Sequence, residues 1–318
     1  MNKTILLSIF MCCSLLLTPT AFAGPYTDDG IPGYVGPEGD GIAKGDNYIN
    51  PVFVGWATGV VEYTPSDVLG TYGQNGIGSQ FSDPTAALGP LSQTGIPVVS
   101  MGDMDQTEID AYLSGTGPGP ATLTLSFDAP IVNGSGADFA AFENGFVSDY
   151  STGAGSVAGE VFAELGYVEV STDGTNFARF PSTYLSYPNG EGLPDSTAYL
   201  TLDVSNIYNL VGQHVNNYGK SWGTAFDLED LVDDPLVLSG LVDLDEINYV
   251  KIVDIPGDGT FTDSQGNGIY DAWVTWGSGG LDFDALGVIN QAAIVPVPAA
   301  VWLLGSGLLC LIGIRRKR

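Results

Sequence analysis

The stretch Tyr167-Val168-Glu169-Val170-Ser171-Thr172-Asp173-Gly174-Thr175-Asn176-Phe177-Ala178-Arg179-Phe180 reads as strand, tight turn and strand. An Asp-Gly step between two β-prone runs is a strong short-range hairpin signal. Strands continue on either side. Ala121 to Phe127 alternates strictly, placing Leu123, Leu125 and Phe127 on one face of a half-buried strand. Asn133-Gly134-Ser135-Gly136 turns the chain into Asp138 to Phe146, the next strand and its exit. Downstream, Ile247 to Asp254 is a clear strand, and Gly279 to Ile289 is the closing one. Phe53 to Tyr63 and Leu200 to Val204 have strand-like composition. His214 to Phe226, polar and aromatic, reads as a long loop, and Leu228 to Leu244 as an acidic, Leu-rich segment with room for a short helix. Short strands, Gly/Pro-rich connections and almost no long helix predict an all-β, antiparallel sandwich with long Gly/Asp-rich loops.

The two ends have a different character. Met1 to Ala23 has a positive start at Lys3, an apolar run from Ile5 to Leu17 and the small-x-small site Ala21-Phe22-Ala23, the pattern of a secretory signal peptide (residues 1–23). Residues 295–318 run Val295-Pro296-Val297-Pro298, an uncharged apolar segment at 299–314, then Arg315-Arg316-Lys317-Arg318. Sixteen helical residues reach roughly 24 Å, slightly short of a hydrocarbon core of about 30 Å. The terminal cations orient such a segment with its C-terminus in the cytoplasm.

Between them lies the body, residues 24–294, opening with a Gly/Pro/Asp-rich irregular arm at 24–50. Only Lys44, Arg179, Lys220 and Lys251 of the nine basic residues fall in it, against all 37 acidic ones, a formal charge of −33. Nucleic acid as a partner is excluded, because binding it requires clustered cations to neutralise phosphate. All three cysteines (Cys12, Cys13, Cys310) lie in the end segments, so the body must be held by its own core or by metal.

The tail closely resembles the PEP-CTERM sorting signal of Gram-negative bacteria, with Val297 where that signal usually has Glu. The resemblance implies export, an inner-membrane-anchored precursor held by the C-terminal helix, and recognition by an exosortase-type processing enzyme. Delivery to the cell surface or extracellular matrix would follow. Asp83-Pro84-Thr85-Ala86-Ala87-Leu88-Gly89, Phe142-Glu143-Asn144-Gly145-Phe146, the Tyr167 hairpin, Tyr249 to Asp254 and Gly280 to Ala285 resemble the jelly-roll ectodomain of surface proteins carrying this tail. That ectodomain is similar in turn to discoidin and galactose-binding-like sandwiches. The resemblance covers about residues 81–290 and implies the fold more sharply than any activity.

Two candidate metal sites follow. Asp263-Ser264-Gln265-Gly266-Asn267-Gly268-Ile269-Tyr270-Asp271 places oxygen side chains at positions 1, 3, 5 and 9 of a calcium-type loop, with Gly268 at 6 and Asp258 nearby. Val274 at position 12 and the lack of flanking helices reject an EF-hand, leaving a calcium-stabilised loop (Asp263, Asn267, Asp271) or a solvated turn. The second set, Asp83, Glu143, Asp282 and Asp284, occupies the segments where galactose-binding-like sandwiches hold a structural calcium. In an alternating strand Asp282 and Asp284 share a face, and exposed charges at a strand edge are the plain alternative. His214 is the only histidine and reads as a surface-loop residue, too little for a triad or a multi-His zinc site. Trp222, Trp273 and Trp276 suit either a sugar-stacking platform or the core. The expectation is a non-enzymatic, structural or adhesive surface protein that binds exopolysaccharide. The alternative is a secreted carbohydrate-active enzyme using paired carboxylates.

Overall fold

The computed structural model describes residues 24–27, 30–66, 77–93, 97–275 and 277–293. The signal segment 1–23, the tail from 294 onward and Trp276 lie outside the described residues. Strand content of 32% against 10% helix makes the body all-β. Among the described residues no helix is long and apolar enough to cross a membrane.

Two antiparallel sheets carry the structure. One runs Ile31–Pro32, Trp222–Phe226, Phe139–Glu143, Asp282–Val288, Gly55–Trp56, with Val99–Ser100 also paired to Asp282–Val288. The other runs Ala178–Arg179, Gly166–Ser171, Ile247–Asp254, Thr122–Ile131, Gly59–Thr64. They share one core. Leu123, Leu125, Val168, Val170, Val250 and Ile252 from the second sheet pack with Phe139, Ala141, Phe226, Phe283, Leu286 and Val288 from the first. Alternation explains which side chains enter it. Leu123 and Leu125 are fully buried, with Phe127 packed against the cluster. The Tyr167 hairpin forms as expected, Glu169 opposite Arg179 and Val170 opposite Ala178. Asp173 caps its turn, accepting from the backbone N–H groups of Thr175 and Asn176.

Two segments differ from the sequence expectation. The region read as a loop at 214–226 ends in the strand Trp222–Phe226, inside the first sheet. Its Gly223 is required there, because a Cβ would meet the Phe142 ring at 2.8 Å. The arm at 24–50 is built into the body. Ile31–Pro32 pairs with Trp222 and Gly223, and Tyr34 packs with Phe53, Leu91 and Phe142 in a small cluster on that sheet. A further apolar cluster, including Leu165, Tyr184, Leu202, Leu210 and Ile269, lies beneath the long connections that follow residue 145.

Candidate functional site

The ends of three central strands meet at one end of the two sheets. Glu143 closes Phe139–Glu143, Asp282 opens the neighbouring Asp282–Val288, and Asp254 closes Ile247–Asp254 in the other sheet. Phe283 pairs with Glu143, and one residue further along Asn144 N donates to the Asp282 carbonyl at 3.1 Å, so Asp282 stands beside the end of the Glu143 strand. Connecting segments add Asp103, Glu164 and Asp271. All six carboxyls are buried, Asp254 to 1% exposure.

Backbone and hydroxyl donors hold one edge of this nest. Leu281 N donates to Asp254 Oδ1 at 3.1 Å, and Thr275 N to Asp103 Oδ2 at 3.0 Å. Leu165 N donates to Asp271 Oδ2 at 2.6 Å. The Thr275 hydroxyl donates to Glu164 Oε1 at 2.6 Å and accepts from Gly280 N at 2.8 Å. Among the described residues, Asp103 Oδ1, Glu143 Oε2, Asp254 Oδ2 and Asp282 Oδ1 are buried without a hydrogen-bond partner, as is the Asn144 amide oxygen.

Among the described residues no ion pair reaches the nest; the ion pairs fall on Glu169, with Arg179 at 2.8 Å and Lys251 at 3.2 Å. The electrostatic consequence is a shared upward shift in proton affinity. Burial pushes Asp254 and Asp282 up to about 7, and the Asp282 charge adds to the shift at Asp254. Glu143 is raised well above the usual range by burial and then by Asp282. Glu164 is raised by burial, then by Asp282 and Glu143. Asp103 is raised by burial and then by Asp254, and Asp271 by burial and then by Asp103.

Above the nest opens a cleft of about 310 Å³, lined by Asn144, Phe146, Phe162, Glu164, Tyr199, Thr275, Ser278 and Asp282 among others. Phe146 stacks on Phe162 with ring centres 4.8 Å apart, and Tyr218 meets the Phe146 ring edge-on at 5.6 Å. Tyr199 and Tyr218 are exposed. The cleft therefore has aromatic walls and an acidic floor.

The residues expected to bind metal are distributed differently. Glu143 and Asp282 stand together in the nest. Asp83 is exposed and caps the short helix Pro84–Ala87, accepting from Thr85 N at 3.0 Å and its hydroxyl at 2.7 Å. Those hydrogen bonds hold its carboxyl below the usual range. Asp284 is the unpaired residue of a β-bulge between Phe283 and Ala285 and accepts from Asn216 Nδ2 at 2.9 Å. Its charge, after burial, helps push the Tyr34 hydroxyl up to about 12. Asp263 and Asn267 lie in the turn between Asp258–Thr262 and Gly268–Tyr270. There Asp263 accepts from the backbone N–H groups of Tyr184, Gln265 and Asn267 and from Asn267 Nδ2. Asp271 leaves that turn for the nest. Among the described residues, no group of three or more His, Cys, Asp or Glu side chains stands in a metal-holding arrangement.

Asp103, Asn144, Glu164, Asp254 and Thr275 are the site residues that sequence reasoning missed. Only the Phe142-Glu143-Asn144-Gly145-Phe146 run hinted at them, by setting a carboxyl and an amide beside an aromatic at a strand end. His214 is buried rather than on a surface loop, its Nδ1 3.1 Å from the Thr224 hydroxyl. Trp273 donates its indole N–H to the Met104 carbonyl at 2.8 Å, and Trp222 is a strand residue. The aromatic side chains that line the cleft are Phe146, Phe162 and Tyr199. No protein-family model matches the chain, and a search of curated proteins finds no similar sequence.

Proposed function

We infer that the protein is an exported surface or matrix protein whose body, a jelly-roll-like antiparallel sandwich, holds exopolysaccharide in the aromatic-walled cleft. Its role is structural or adhesive. The observation that carries this reading is the cleft itself: Phe146, Phe162 and Tyr199 offer apolar faces, while Asn144, Ser278 and Asp282 supply hydrogen-bonding groups below them. A few polar groups set in an apolar concavity are the usual makings of a ligand site. Delivery rests on the PEP-CTERM-like tail, with an inner-membrane precursor and an exosortase-type enzyme as processing partner. Retention of host exopolysaccharide by the purified protein, reduced at least tenfold by Tyr199→Ala or Phe162→Ala, is the expected result. Equal retention by those variants would remove the cleft from the reading. The intact mass of protein recovered from the host surface tests sorting separately. It should correspond to a chain beginning at Gly24 and ending near Pro296–Pro298, and a chain retaining Arg318 would make the tail a plain anchor.

A second reading, a carbohydrate-active enzyme using two carboxylates, is favoured by Glu164 and Asp282. Both line the cleft, and both have raised proton affinity, as a general acid requires. Release of reducing ends from the same polysaccharide, abolished by Glu164→Gln, would favour it over binding alone.

A further inference from the structure

We propose that the sugar unit seated in the cleft carries a free amine, its ammonium group held by Asp282, Glu164 and the amide oxygen of Asn144 beside the Phe146 and Phe162 rings. The inference rests on the glycan reading above and names the class of glycan. It starts from acceptors that lack donors. Asp282 lines the cleft at 3% exposure, and its Oδ1 has no hydrogen-bond partner among the described residues. The Asn144 amide oxygen, on the same lining, has none either. Glu164, at 7% exposure, adds a second carboxyl, with Oε1 met by the Thr275 hydroxyl at 2.6 Å. Buried polar atoms are rarely left unpaired, and those on the lining can be met by what enters the cleft.

The chemistry of the floor selects the donor. A neutral hydroxyl brings one O–H together with lone pairs that need donors of their own, whereas an ammonium brings three N–H donors and no acceptor. Charge points the same way. Arg179 and Lys251 are engaged by Glu169, so a cationic ligand would supply the counter-charge that the nest lacks, and uronate or sulfated units would be repelled. The walls suit such a unit as well. An aromatic face attracts a cation, and the stacked Phe146 and Phe162 rings with the exposed Tyr199 offer apolar surface to a sugar ring. A lysine side chain would bring the same ammonium on a flexible stem, whose ordering costs rotamer freedom, with no ring to lie against those walls. The cleft's volume of about 310 Å³ is small for a ligand pocket and suits one ring better than a long chain.

The test is calorimetric titration of the full chain in detergent with a glucosamine trisaccharide, its fully N-acetylated form and a glucose trisaccharide. High salt is needed, because the acidic body attracts any polycation through screened surface charge. The glucosamine form should bind at least tenfold more tightly than either of the others. Asp282→Asn keeps the shape and should abolish most of that preference, while Asp40→Asn, at an exposed position of the N-terminal arm, should retain it. Trilysine should bind at least tenfold more weakly than the glucosamine trisaccharide. Equal binding of the acetylated or glucose form would overturn the amine and leave the glycan reading standing. Equal binding of trilysine would overturn the sugar as its carrier, and an undiminished preference in folded Asp282→Asn would overturn the site. Failure of all three trisaccharides to bind would overturn the inference, and retention of host exopolysaccharide by the same preparation would then show whether the glycan reading survives it. Should Asp282→Asn fail to fold, the comparison of amine with acetamide on the unaltered chain still decides.

Discussion

Thr275 secures two of the buried acids at once, through its backbone N–H to Asp103 and its hydroxyl to Glu164. Thr275→Val keeps the shape and the backbone bond but strips the hydroxyl, leaving Glu164 Oε1 and Gly280 N without that partner. A loss of about 1–3 kcal/mol is expected, read from the urea midpoint, with Thr275→Ser close to wild type. An unchanged midpoint for the valine variant would mean that water replaces the hydroxyl. The nest also predicts a pH dependence. Asp254 and Asp282 rise from 3.8 to about 7 on folding, so between those values the folded state keeps protons that the unfolded state has released. Their stabilising contribution is complete below about 4 and disappears as pH rises through about 7. Asp173 acts in the opposite sense. Its turn hydrogen bonds lower it to about 2, so its contribution is lost as pH falls towards that value. In chelator, therefore, the melting temperature should be higher at pH 5 than at pH 8. A melting temperature that rises over that interval would contradict the shared upward shift.

Among the elements, the hairpin joining Asp258–Thr262 to Gly268–Tyr270 shows how a correct residue pattern can serve another end. Oxygen side chains closely spaced between glycines suit a calcium loop, but they equally suit a turn in which a carboxylate collects backbone N–H groups. Asp263 does the latter, and it also accepts from the buried Tyr184 N at 2.8 Å. Asp263→Ala should cost about 2 kcal/mol by leaving those donors unmet, measurable by chemical denaturation, and Asp263→Asn should recover part of the loss. The strand Trp222–Phe226 was illegible for a related reason. Glycine and polar residues argue for loop when only neighbours in sequence are considered. Here Gly223 is small because the Phe142 ring of the adjacent strand lies against it. By contrast, Thr122–Ile131, Ile247–Asp254 and the Tyr167 hairpin were readable, because alternation and an Asp-Gly turn encode their own geometry.

Across the whole molecule, stability resides in the core shared by the two sheets. Phe139 sits at its centre, stacked on Phe226 at 5.3 Å and edge-on to Phe180 at 5.9 Å. Phe139→Ala should therefore cost about 3–5 kcal/mol, and Phe139→Leu markedly less, by denaturant unfolding. A cost below about 1 kcal/mol for the alanine variant would mean that the sheets can close over the gap. Sequence by itself determined the all-β class, the main strands and the concentration of acid in the body, because strand periodicity and turn chemistry act between near neighbours. It singled out Glu143, Asp282 and Asp271 but could not assemble their site. Asp103 and Thr275 meet across 172 residues, and Leu165 and Asp271 across 106. Asp83, in a promising segment, was consumed by a local cap. Only the tertiary structure decided which carboxyls lose their water, because desolvation and charge–charge proximity depend on how strand ends pack in space, and no local spacing records that.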